Sequence, residues 1–443
     1  MTSLLIENGR FIDPSQSIDR VATLLLENGI VSAIDPDADS VRNHDDLRWI
    51  DATDKIVCPG LVDLCAEFRQ PGRDEDESIA SGAAAALAGG FTTVLCGANT
   101  YPPIDSPGAV EFVRQKATAA NGPRIHVVAC VSKERRGEQM AELGLLVDAG
   151  AIAFSDSPSP IANSALLKRA LDYCRMFDLP ILDRPQIPEL AEDGVMHDGC
   201  VSLELGLRGL PTEAEDLAVA RDVRLAEATG GRLHVGPVST MGSVDMLRRV
   251  KKRGIAVTAS VCPHNLLLTD QALKSYDSRY KVHPPLRSIR HLQTLQIAVR
   301  DGTIDAIQSG HMPRAREKKM NDLDLAPFGM EGLETAVSVV AAAMVQGPVD
   351  GDPPAEEYRI TWSQLIDRMS TTPAKIAGVD AGSLAVGCAA DVIVIDPNCE
   401  WTVDPQKLRS QCDSTPFENL TFGAAVLRTI VGGVEKFFRH DTN

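Results

Sequence analysis

Aromatic residues make up only 4% of this 443-residue chain, and its ten cysteines include no CxxC pair of the kind that builds zinc clusters or redox motifs. The cysteines sit mostly in apolar runs such as TTVLCG and HVVACV, which reads as reduced, buried thiols and argues against disulfides. Positive charge is scarce: 44 Lys and Arg against 61 Asp and Glu leave a formal net charge of −17. Phosphate backbones and anionic membranes are bound by clustered cations, so neither nucleic acid nor membrane is an expected partner. No apolar run approaches the ~20 residues of a membrane span. The opening stretch MTSLLIENGRFID has neither the basic region nor the apolar core of a signal peptide, so a cytoplasmic location is expected. Glycine-rich phosphate loops are also missing after the first buried strand, which argues against a doubly wound dinucleotide fold.

What is present is a long alternation of strands and helices between two β-rich ends. Residues 1–53 read as hairpins, with Asn8-Gly9 and Asn28-Gly29 as tight turns. Residues 379–443 read as further strands broken by turns, so the two ends are expected to build one composite β-domain. Residues 54–378 carry eight short apolar runs: 61–67, 91–97, 124–131, 151–156, 179–184, 232–239, 255–261 and 303–309. Helical patterns separate them, including the Ala-rich GAAAALAGG, which reads as a packing helix. Eight buried strands alternating with helices predict an α/β fold, a (β/α)8 TIM barrel, with chemistry at the C-terminal strand ends.

The segment PGLVDLCAEFRQPG, 59–72, closes the first of these strands. Together with SGAAAALAGGFTTVLCGANT, RLHVGPVSTMGSV, VCPHNLLLTD, HPPLRS, DGTIDAIQSGH and APFGMEGLETA, in that order and spacing, it resembles the dihydroorotase family of the amidohydrolase superfamily. That resemblance implies an amidohydrolase-type barrel, and in active relatives one or two zinc ions held by four His and two Asp. Those positions are here Cys65, Glu67, Asp156, Arg184, Pro237 and Gly310, and five of the six have lost the usual group. A metal-bound water and a general base are what such chemistry needs. The resemblance therefore implies no catalytic residues at these degenerate positions, no metal and no cofactor.

Arg69 and Asn99 match family positions that hold the substrate carboxylate, and His283 stands where the family has Asn, so these are vestigial substrate contacts. The residues themselves also allow a different arrangement in which internal carboxylates, Glu67 or Asp156, hold Arg69. Arg184, buried at the barrel mouth, is expected to pair with Glu67 or Asp156. A new metal site from Cys65, Glu67, Asp156 and His311 is a weaker alternative, with His311 expected to point away. His234 and His264 read as hydrogen-bonded core residues, and the basic run Arg314–Met320 as a solvated loop. The leading expectation is a catalytically inactive protein of pyrimidine biosynthesis. The resemblance implies that it scaffolds aspartate transcarbamoylase and forms a homodimer within the complex. A divergent metal-dependent cyclic amidohydrolase and a binding sensor of pyrimidine intermediates are the alternatives.

Overall fold

Strands buried on both faces need apolar side chains on both faces, and Phe91–Cys96 is a case in point, with all six residues buried. The structure, a computed structural model, describes residues 3–37, 41, 47–349 and 351–440. Eight strands follow one another in it: Leu61–Ala66, Phe91–Cys96, Arg124–Ala129, Ala151–Phe154, Ile181–Asp183, Leu233–Val235, Val257–Val261 and Ala306–Ile307. Each pairs in parallel with the next in chain order, and each matches one of the eight expected runs.

The sheet curls until its first and last strands meet. The contact is not a regular ladder. Asp63 accepts hydrogen bonds from the Ser309 N–H (2.9 Å) and hydroxyl (2.6 Å), and the Glu67 N–H donates to the His311 carbonyl (3.1 Å). Inside, Leu64, Leu95, Val128, Ala153, Leu182 and Ala306 cluster with Ile376 and Ala377 of the helix Thr372–Ala377. The interior is packed core, as small barrels require.

Helices cover the outside. Ile79–Ala88 begins with a capping box between Ser78 and Ser81. A Cβ on Gly82 would lie 2.3 Å from the Phe68 ring, so glycine lets this Ala-rich helix close on the end of strand one, as the small residues suggest.

A second sheet combines Ser3–Asp13, Ile18–Glu27, Ile30–Ile34, Leu47–Asp51 and Ile56–Pro59 with the C-terminal strands Val392–Asp396, Ala425–Val431 and Val434–Phe438. This is the composite β-domain expected from the two ends. Ile56–Pro59 belongs to it, so the terminal sheet runs past the boundary expected after residue 53. Asn28-Gly29 does form a turn, between Glu27 and Ile30. Asn8-Gly9 does not. It is an irregularity within a strand, where the pairing register shifts between Ile6 and Gly9. Glycine is needed there because a Cβ would come 2.5 Å from Val57 Cγ2. The chain reverses instead at Pro14–Gln16, capped by the Asp13 carboxylate accepting from the Ser15 N–H (2.9 Å).

All ten cysteines are unpaired, seven of them buried. Among the described residues no helix is long and apolar enough to cross a membrane.

Candidate functional site

The strand ends at the barrel mouth split into two halves with different chemistry. On strands one to four each buried cation meets a carboxylate or a carbonyl, although Glu67 Oε1 and Arg69 Nε and Nη2 have no hydrogen-bond partner. Glu67 accepts from Arg69 Nη1 and from Asn99 Nδ2 (2.8 Å). Arg69 is fully buried, at φ +53°, with Nη2 3.6 Å from Asp76 Oδ2. A left-handed backbone is unfavourable for a residue with a Cβ, so this placement depends on the carboxylates around it. Asn99 Oδ1 accepts from Arg135 Nη1 (2.6 Å), and Arg135 donates onward to the Asp156 carbonyl (3.0 and 3.1 Å).

Asp156 closes this network without turning toward the barrel axis. Oδ1 accepts from the Val131 N–H (2.9 Å) and Ser132 N–H (3.1 Å), and Oδ2 from the Ser132 hydroxyl (2.5 Å). Burial pushes its pKa up, against those hydrogen bonds. The carboxylate serves the loop after strand three. Arg69 is thus held by an internal carboxylate, Glu67, and Asp156 takes no part in holding it.

Strands five to eight present a different picture. Arg184 is 4% exposed, its Nη2 has no hydrogen-bond partner, and no carboxylate lies within 4 Å of it among the described residues. The expected pairing with Glu67 or Asp156 does not form: Glu67 Oε2 goes to Arg69 and Asn99 with Oε1 left unpartnered, and Asp156 is taken by the Val131 and Ser132 N–H groups and the Ser132 hydroxyl. Burial pulls the Arg184 pKa down, with Cys262 and Glu67 opposing. His264 is buried with both ring nitrogens unpartnered, which corrects the expectation of a hydrogen-bonded core residue; burial, then Arg184, holds it neutral with a pKa of about 3. His234 does fit that expectation, bonded to the Thr258 and Ser260 hydroxyls at 2.9 Å each.

Gly310, at φ +69°, has no room for a general base. A Cβ there would sit 2.8 Å from both Cys262 Sγ and His264 Cε1. Pro237 and His283 line a cavity of about 20 Å³ with Arg184 and Arg287. His283 Nδ1 is buried without a partner, and its ring packs edge-on against Phe328 at 5.1 Å. Cys65 is half-buried, its thiol pushed well above the usual range by burial and then by Glu67 and Asp63.

These side chains do not fit a zinc ion. Among the described residues no group of three or more His, Cys, Asp or Glu could hold a metal. The alternative site from Cys65, Glu67, Asp156 and His311 is not assembled. His311 turns away, as expected, with Nε2 3.5 Å from Glu77 and Nδ1 accepting from the Gly332 N–H (3.4 Å).

Three features escaped sequence reasoning. Arg135, in the loop KERRG, joins Asn99 to Asp156; a basic pair in an acidic chain was its only signal. Glu77, Glu331 and Glu334 form a buried acidic group beside His311, and burial lifts Glu334 to about 7. The basic run 314–320 is tied down: Lys318 reaches Glu75 (2.7 Å) and Asp76 (2.8 Å), Arg316 reaches Asp413 (3.3 Å), and the buried Lys319 donates to the Lys281 and Pro327 carbonyls.

Residues 54–243 match the family model described as "Dihydro-orotase-like". The chain is 58% identical over 442 residues to a "Putative dihydroorotase" of Rhodopirellula baltica, covering 100% of this chain and 94% of that protein. It is 41% identical over 432 residues to a "Dihydroorotase" of Anaeromyxobacter dehalogenans, covering 97% and 96%. Among solved structures it superposes on an L-hydantoinase (dihydropyrimidinase) from Arthrobacter aurescens with a TM-score of 0.85 at 21% identity, covering 100% and 98%. That likeness shows the amidohydrolase-type fold.

Proposed function

Because this chain belongs to the dihydroorotase-like family, we propose that it serves pyrimidine biosynthesis with the family's fold and without its metal-dependent ring chemistry, as a scaffold for aspartate transcarbamoylase. Arg184 carries this reading. A buried guanidinium, with no carboxylate within 4 Å among the described residues, stands at the end of strand five where the family resemblance puts a metal-binding His. A fixed cation there repels a divalent ion. Gly310 and Asp156 support it, the first having no space for a base and the second being committed to backbone N–H groups. A barrel can lose its site and keep its outer surface, since fold and chemistry are separable. Two copies of this chain at each junction between transcarbamoylase trimers would satisfy closed symmetry.

A second reading is a divergent, metal-dependent dihydroorotase interconverting carbamoyl aspartate and dihydroorotate. The relatives' names favour it over a scaffold, since proteins 58% and 41% identical carry that activity in their names. The donor set favours the scaffold. A sensor of pyrimidine intermediates has less support, because Arg69 is fully buried and Asn99 is bonded to Glu67 and Arg135. The cavity beside Arg184, about 20 Å³, has space for about one water.

Co-expression with the same organism's aspartate transcarbamoylase tests the proposal. The two chains are expected to elute together, with transcarbamoylase activity raised by the complex. Separate elution at micromolar concentration, with activity indifferent to this chain, would sink the scaffold.

A further inference from the structure

The cavity beside Arg184 has an electrostatic imbalance that no neighbouring side chain corrects. Its charged lining consists of two cations, Arg184 and Arg287, and one carboxylate, Glu215. Glu215 is already committed. Oε1 accepts from the Ser239 N–H (2.8 Å), the Thr240 N–H (3.0 Å) and the Thr240 hydroxyl (3.0 Å), while Oε2 accepts from the Ser239 hydroxyl (2.5 Å). Its remaining attraction goes to Arg287, whose Nη2 lies 3.9 Å away. Arg287 is otherwise anchored by the Leu210 carbonyl (2.6 Å) and the Ser239 hydroxyl (3.1 Å).

Arg184 is left over. Its Nη2 is buried and unpartnered, and so is Nδ1 of His283 in the same wall. The tautomer protonated at Nδ1 turns His283 into a second donor at this wall, and the Gln186 amide is the remaining uncharged polar side chain. Pro185, Pro211, Pro237, Pro284 and Pro285 line much of the rest and bring no charged side chain to it. A buried, unpaired charge is strongly unfavourable. A water molecule would give Nη2 an acceptor and leave the charge uncompensated. A small anion supplies both.

We propose that this cavity is a binding site for a monovalent anion of chloride size, held by Arg184 and His283. The volume, about 20 Å³, sets the size, because it accommodates a water-sized species and no polyatomic ring. The anion takes the electrostatic place of the carboxylate that Arg184 lacks. The inference does not depend on whether the chain scaffolds another enzyme, since it rests on the cavity alone.

The test is thermal melting of the full chain at constant ionic strength, with chloride or bromide replacing methanesulfonate, for the wild type and Arg184→Met. The expected result is a saturable rise of a few degrees in the wild type, lost in the variant. An equal response in both proteins, or none in either, overturns the site. Should Arg184→Met fail to fold, wild-type crystals grown in bromide decide. An anomalous peak beside Arg184 Nη2 supports the proposal, and a cavity holding water with no anomalous signal overturns it.

Discussion

The two halves of the barrel mouth hold their buried charges differently. Around strands one to four, Glu67, Arg69, Asn99, Arg135 and Asp156 form a connected network in which cations meet carboxylates or carbonyls. Around strands five to eight, Arg184, His264 and His283 keep buried nitrogens without partners. Both halves keep buried polar atoms without a hydrogen-bond partner, Glu67 Oε1 and Arg69 Nε among those of the first, and such atoms carry their desolvation cost. The difference lies in charge. Arg69 has Glu67 and Asp76 beside it, whereas Arg184 has no carboxylate within 4 Å among the described residues.

The largest expected effect comes from breaking the half whose charges are paired. Glu67→Ala leaves Arg69 buried with only Asp76 at 3.6 Å, so unfolding in urea should show a loss of about 3 kcal/mol, the scale for removing one partner of a buried pair. A loss below about 0.5 kcal/mol, the range of ordinary surface changes, would mean that the network does not hold the mouth. The other half should respond with the opposite sign. In halide-free buffer, Arg184→Met removes an unpaired buried charge and fills similar space, and should stabilise the fold by about 1 kcal/mol. Had Arg184 been paired with Glu67 or Asp156, the change would destabilise.

The smallest effect is a pH dependence. The folded pKa of His264, about 3, lies below its ordinary value, so the unfolded chain binds more protons between about pH 6.5 and 3. Its contribution is present above about 6.5 and is lost as the pH falls. From pH 6.5 to 5.5 it should amount to about 1 kcal/mol. Glu334, lifted to about 7, acts in the opposite sense, so the informative quantity is the difference between wild type and His264→Leu. The variant should lose less stability over that interval. Identical slopes would place His264 in contact with water.

Much of the fold is legible because buried parallel strands must be apolar and must alternate with helices, as Leu61–Ala66 and Phe91–Cys96 do. The identities of the degenerate positions are legible for the same reason, being fixed to strand ends. Their partners are not. Nothing in LDRPQ reveals that Arg69 and Asn99, on other strand ends, would share Glu67 Oε2 while Arg184 stays apart from that carboxylate. Asp156 is taken by the N–H groups of Val131 and Ser132, which reach it from a neighbouring loop. Asn8-Gly9 shows the limit of turn signals. Its dipeptide suits a hairpin, yet the approach of Val57 makes it a strand irregularity. Pairings across the barrel are tertiary facts, and charge composition alone does not encode them.

The proposal that this chain keeps a dihydroorotase-like fold without the metal-dependent reaction rests on the arrangement of charge and space at the barrel mouth. It is tested most directly by measuring zinc content and turnover on one purified sample, with dihydroorotate and carbamoyl aspartate as substrates and zinc supplied in excess. The expected result is far less than one tightly held zinc per chain and no interconversion above the uncatalysed rate. Stoichiometric zinc that resists chelation, with turnover that disappears when it is removed, would contradict the account and establish the enzyme.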